Sequence, residues 1–295
     1  MMISHTQNHE LELRKKISPA LLLIDDPDET VSSHIIEHLI SFGGSIAPII
    51  RTELKHQDNP IAYRTLHTVL SSIRTSSLED LTNYIERHRS KNTTIDLFTT
   101  FELLSHFGFP ETKAWIIDAH LNALADSVRD DIIITCATNE QSRINSLNSV
   151  FFTQYNYRPP TSHYYLPEHC YLHSVIEHKI GIPLALSVLY MLVAKKCGIV
   201  LQGIGMPLHF LVKSPDLPTF IDVYNYGISI TKEDCYNFLA KAHIPYQEKM
   251  INAVSYEDMI IRMLRNLQYC YKREEMDWEY EHIERVLTDL TIQNA

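Results

Sequence analysis

The chain has 295 residues, room for one large domain or two ordinary ones. Hydrophobic residues make up 45% and charged residues 21%, the balance of an ordinary soluble globular protein. A formal net charge of −10 argues against nucleic-acid binding, which needs Lys and Arg clustered at the phosphates.

The opening "MMISHTQNHELELRKK" has no apolar core ahead of its charges and does not read as a signal peptide. Helices are expected through the first half. The stretch "DDPDETVSSHIIEHLISFGG" is punctuated for one: Asp26 as cap, Pro27 at the first helical position and Glu29 completing a capping box. Val31, Ile35, Leu39 and Phe42 then share a face, and Gly43–Gly44 close the helix. Further amphipathic helices are expected at about 60–73, 78–89, 95–107 and 111–128, separated by "DNP", "SS" and "GFP". Short connections between consecutive helices predict antiparallel pairs.

After the irregular "QYNYRPPTSHYYLPEHCYL", a helix is predicted from about 168 to 179, then a turn at Gly181 and a second helix from Pro183 to Lys196. Leu184, Leu186, Val188, Leu189, Met191, Leu192 and Val193 cover every face of that second helix, which predicts burial. β-rich runs at about 201–213 and 219–223 precede further helices. The order predicts an α+β fold: a helical N-terminal region over 1–145, and a core over 146–295 with a small antiparallel sheet and a buried central helix. No uncharged apolar run approaches the roughly 20 residues of a membrane helix, so no membrane contact is expected. Five cysteines, an odd number without pairwise spacing, point to reduced thiols in a cytoplasm.

"HFLVK" and "TFIDV" are joined through "SPDLP". With Ser214–Leu217 as a hairpin loop, Lys213 faces Pro218, Phe210 pairs with Ile221, and His209 pairs with Asp222. Opposed residues project to one face with β-carbons about 4.5–5.5 Å apart. The carboxylate can then fix the imidazole tautomer, as in nucleophile–His–Asp sites. A polar pair that merely satisfies itself at a hairpin end is the competing reading.

"CYLHSVIEHKIGIPLALSVLYMLVAKKCGI", "GIGMPLHFLVK", "FIDVYNYG" and "IIRMLRNLQYCY" together resemble the SirB-type proteins, bacterial proteins with a transglutaminase-like core and a helical N-terminal region. The likeness spans about residues 145–275, and residues 20–145 more loosely. It departs at Leu208, where the family pattern has Gly, and at Val223, where it tends to have Pro. The wider transglutaminase and papain-like superfamily carries a catalytic Cys at the head of the buried helix, with His and Asp on following strands. The resemblance places those three positions on Pro183, His209 and Asp222.

A helix N-terminus activates a cysteine as thiolate through its dipole and free N–H groups. Proline is comfortable there but offers neither a thiol nor an N–H for an oxyanion hole. The expected function is therefore binding of a polypeptide or protein partner through the inherited cleft, without cysteine-protease chemistry and without a cofactor. The alternative is an active hydrolase or transferase on amide bonds that uses His209 and Asp222 with another nucleophile.

The candidates for that nucleophile are poor. Ser187 lies one turn beyond Pro183, inside an apolar helix, and is expected to bond back to a helix carbonyl. Cys197 sits at the helix's negative end, and Cys170 reads as a small packed residue. His169, His173 and Glu177 have zinc-like i, i+4, i+8 spacing, but 16 histidines make such coincidences common, and no metal site is expected. His34, His38 and the remaining histidines read as helix-surface residues. Tyr155, Tyr157, Tyr164, Tyr165, Tyr171, Tyr190, Tyr224 and Tyr226 crowd the segments flanking the site. Most should pack, and some should line a groove suited to peptide contact.

Overall fold

The computed structural model describes the backbone of residues 2–292 and the side chains of residues 10–292. Its first seven helices are α1 (Met2–Leu21), α2 (Glu29–Ile40), α3 (Ala47–Lys55), α4 (Pro60–Ser90), α5 (Leu97–Gly108), α6 (Ala114–Ile134) and α7 (Glu140–Asn148). Then come α8 (Leu172–His178) and α9 (Pro183–Lys196), and four strands: β1 (Gln202–Ile204), β2 (Leu211–Lys213), β3 (Phe220–Asp222) and β4 (Ile228–Ile230). Helices α10 (Lys232–Lys241), α11 (Tyr256–Arg273) and α12 (Asp277–Ile292) follow. The sheet is antiparallel throughout, in the order β1-β2-β3-β4. The fold class is α+β, as the order of patterns predicts.

Two compact units emerge: residues 1–81 with 103–113, and residues 82–102 with 114–295. The first has its own core, built from Ile17, Leu39, Ile46, Ile49, Ile50, Leu66 and Val69. Helix α2 starts two residues later than expected, because Asp28 is the cap and its carboxylate accepts from Thr30 N at 2.8 Å. Asp26 instead accepts from Asp28 N at 2.9 Å in the approach to the helix. Helix α4 runs unbroken through the "SS" expected to interrupt it. Ser77 donates to the Arg74 carbonyl at 2.7 Å, so its hydroxyl is satisfied inside the helix.

In the second unit, α6 and α7 share a compact body with the sheet, and α6 packs on α9. Helix α9 has the bounds read from its sequence, and every residue from Leu184 to Ala194 is buried. The helix expected over 168–179 is split. A 3₁₀ turn (Pro167–Cys170) gives way at Tyr171, in extended backbone, to α8. Between α8 and α9 the chain passes so close to its neighbours that a β-carbon on Gly181 would lie 3.0 Å from Val175 and 3.2 Å from Leu186.

The hairpin register differs from expectation by two residues. Val212, not Phe210, is the partner of Ile221. The turn is longer because Leu217 N closes it onto Ser214 O at 3.2 Å and Pro218, which has no N–H, cannot resume the ladder. A two-residue shift preserves the face of every side chain, whereas a one-residue slip would have reversed it. His209 and Asp222 therefore still share a side.

Candidate functional site

His209 is delivered by a tight turn over Met206, Pro207, Leu208 and His209, closed by His209 N donating to Met206 O at 3.2 Å. Proline in second place and positive φ in third mark a type II turn, which favours Gly at that third position. Leu208 occupies it, with φ +63° and its side chain 70% exposed. The backbone thus keeps the conformation that glycine would favour, and the Leu departure costs about 1–2 kcal/mol of left-handed strain. Arg262 of α11 holds the turn from the side. Its Nη2 donates to the carbonyls of Met206 (3.0 Å) and His209 (2.8 Å).

Asp222 ends β3, and both members of the pair are buried. His209 Nε2 lies 2.9 Å from Asp222 Oδ2. This is ion-pair distance, with the ring N–H turned off the line to the carboxylate. Asn225 completes the carboxylate's shell, donating Nδ2 to Oδ2 at 2.7 Å and its backbone N–H to Oδ1 at 3.1 Å. Burial pushes the Asp222 pKa up, but the imidazole and Asn225 together outweigh it, and the carboxyl is held below its ordinary value. The imidazole packs against Tyr224 and Phe238, with ring centroids 6.0 and 5.8 Å away.

Two cavities meet at His209. The larger, about 490 Å³, is walled by Met206, Asp222, Tyr224, Asn225, Asp234 and Phe238 among others. The smaller, about 120 Å³, reaches Tyr165, Arg262, Asn266, Tyr269 and Cys270. Tyr164, Pro183, Leu208 and His209 line both and form the saddle between them. Pro183 therefore lines the same two cavities as His209. Burial pushes the Tyr164 phenol up to about 12, so it is a neutral donor at physiological pH.

The other sequence candidates fall elsewhere. Ser187 is fully buried, and its hydroxyl has no partner, not even the helix carbonyl expected. Cys197 Sγ donates to Ala125 O at 3.5 Å, and burial raises its pKa. Cys170 is buried beside Cys270, whose thiol, with burial, raises its pKa well above the ordinary range. His169 lies in the 3₁₀ turn, off the helix that pairs His173 with Glu177 at 3.6 Å. No group of three or more metal-ligating side chains occurs among the described residues. Of the tyrosines, Tyr164, Tyr165 and Tyr224 line the cavities, while Tyr157, Tyr171 and Tyr190 are core.

His120 corrects the surface reading of the histidines. Its Nε2 is 2.8 Å from the Tyr157 hydroxyl and 3.2 Å from Lys179 Nζ. Burial and the Lys179 charge lower its pKa to about 4. The sequence carried no local sign of this cluster, whose members are 22 to 59 residues apart. Arg262 was legible only as a cation between buried Ile261 and Met263.

Residues 116–265, about half of the chain, match the Transglutaminase-like superfamily. The chain belongs to that superfamily. A UPF0162 protein of Xylella fastidiosa (strain Temecula1 / ATCC 700964) is 26% identical over 191 residues, covering 60% of this chain and 66% of that protein. F-box only protein 21 of Mus musculus is 28% identical over 148 residues, 47% of this chain and 23% of that protein. Its Homo sapiens counterpart is 27% identical over the same length. The chain thus spans just under two thirds of the first relative and about a quarter of the F-box proteins. No solved structure matches. Among the described residues no helix is long and apolar enough to cross a membrane.

Proposed function

We propose that this superfamily member binds a polypeptide in the cleft at the head of α9 and performs no cysteine-type acyl transfer there. The observation that carries the reading is Pro183, which lines both cavities beside His209. It has no thiol to ionise and no N–H to stabilise an oxyanion. The larger cavity is lined by the thiol of Cys235, raised by burial to about 11 and so a weak nucleophile at neutral pH. Aromatic walls with a polar tip, such as Tyr164 and Tyr224, suit contact with a polypeptide. Within the superfamily, the quoted motifs favour the SirB-type proteins, and five free cysteines favour a reducing cytoplasm.

The second reading, an amide-bond hydrolase or transferase with another nucleophile, draws on the close His209–Asp222 pair. One experiment separates the two. Cysteine- and serine-directed activity probes should leave the wild-type protein unlabelled. Pro183→Cys should be alkylated faster than the native thiols, with a pKa below the roughly 8.5 of free cysteine. Wild-type turnover of an amide substrate, abolished by His209→Ala, would establish the second reading instead.

A further inference from the structure

The smaller cavity contains a cation without a counter-ion. Elsewhere in the same unit, Arg89 meets Glu257 at 2.5 Å and Arg143 meets Glu140 at 3.6 Å. Arg262 has no carboxylate partner among the described residues. Its two hydrogen bonds both leave from Nη2 and its guanidinium carbon lies 5.6 Å from the Phe210 ring centroid, so Nε and Nη1 carry no hydrogen bond. Asn266, four residues on along α11, lines the same cavity, and its side-chain amide has no hydrogen-bonding partner among the described residues. No Asp or Glu lines that cavity, whereas the larger one has Asp222 and Asp234 and neither Lys nor Arg. A guanidinium stays charged at any physiological pH, and a half-buried one is stabilised by meeting an anion.

We propose that the smaller cavity is a carboxylate-binding subsite, in which the free donors of Arg262 and Asn266 receive a carboxylate of the polypeptide held in the cleft. This rests on the binding function proposed above. The carboxylate is either the chain's own C-terminal group or an acidic side chain. The opposite polarity of the two cavities orients the ligand: its anionic group lies at Arg262, and the chain crosses the saddle at Pro183 and His209 toward the acidic cavity. Arg262 serves both tasks, since the same guanidinium pins the turn that presents His209.

The test is an NMR titration of the full-length protein with three short peptides: acetyl-Ala-Leu with a free C-terminus, the same peptide amidated, and acetyl-Glu-Leu-amide. At least one carboxylate-bearing peptide should bind about tenfold more tightly than the amidated one, the contribution of one charge-assisted contact. Which of the two gains identifies the source of the carboxylate. Asn266→Asp places a carboxylate one turn from Arg262, where it competes for the free donors while the turn stays pinned. That variant should fold, as its NMR spectrum reports, and bind the carboxylate-bearing and amidated peptides equally. Arg262→Gln should lose it too. Equal binding of all three peptides, or an unchanged preference in Asn266→Asp, overturns the subsite and leaves the cleft's binding function standing. Binding of none of them overturns both.

Discussion

Helices α9 and α11 both reach the cleft, yet they are built on opposite plans. In α9 the eleven residues from Leu184 to Ala194 are all buried, so packing on every side dictates their identity. Only its first two residues, Pro183 and Leu184, line the cavities, with Ile182 just before them. Helix α11 buries one stripe, including Met259, Met263, Leu264 and Leu267, and leaves its flank half-exposed. That flank carries Arg262 and Asn266. A helix at the centre of a core can offer chemistry only at its end, whereas an amphipathic helix can place a charge along the margin of its buried face. Proline at position 183 costs α9 nothing in packing, since the first turn tolerates it.

The largest effect that sharpens this contrast is expected in α9 itself. Leu189→Ala should destabilise by about 2–5 kcal/mol through lost transfer energy and a cavity. Arg265→Ala, on the exposed side of α11, should change stability by less than about 0.5 kcal/mol. Denaturant melts of the two variants that came out equal would break the comparison.

A smaller effect belongs to the sheet between them. Asp222→Asn should cost about 1–3 kcal/mol at neutral pH by weakening a buried charged contact. The sign with pH is fixed by the direction of the shift: the folded-state pKa lies below the ordinary 3.8. The carboxylate's contribution is therefore complete above that value and disappears as pH falls through the lower, folded one. Melting curves of wild type and variant should converge in acid and stay parallel above about pH 5. Divergence in acid would reverse the assignment.

The smallest effect is a gain. Two hydroxyls lie within the buried run of α9: Tyr190 donates to Asn148 Oδ1 at 2.8 Å, whereas the Ser187 hydroxyl is unsatisfied. Ser187→Ala should stabilise by about 1 kcal/mol by removing a buried, unpaired group. A loss of similar size would mean that the hydroxyl has a task in the core, and that α9 is not purely a packing element.

Much of this arrangement was legible because it is local. The bounds of α9 follow from Pro183 and the all-round apolar pattern, and the shared face of His209 and Asp222 follows from strand parity. The register did not, because the pattern fixes the face but not the turn, and Pro218 lengthened the turn by forfeiting a ladder bond. Serine at position 77 looked like a breaker in sequence, yet its hydroxyl folded back onto the helix. The free donors of Arg262 and the packing of His120 depend on partners in distant segments, which no window of sequence contains.

The plan of α9 also bears on how the protein is made. The chain is synthesised from its N-terminus, so α6 is available to cover one side of α9 as soon as that helix forms. The covering residues of α11 begin at Met259, roughly 65 residues after Ala194, which at ribosomal rates of about 5–20 residues per second is a delay of about 3–13 s. For that interval a nascent chain presents the buried-type run Leu184–Ala194 with one flank bare, a surface suited to a holdase chaperone. A ribosome stalled just before α11 should therefore retain such a chaperone, and one stalled after it should release it.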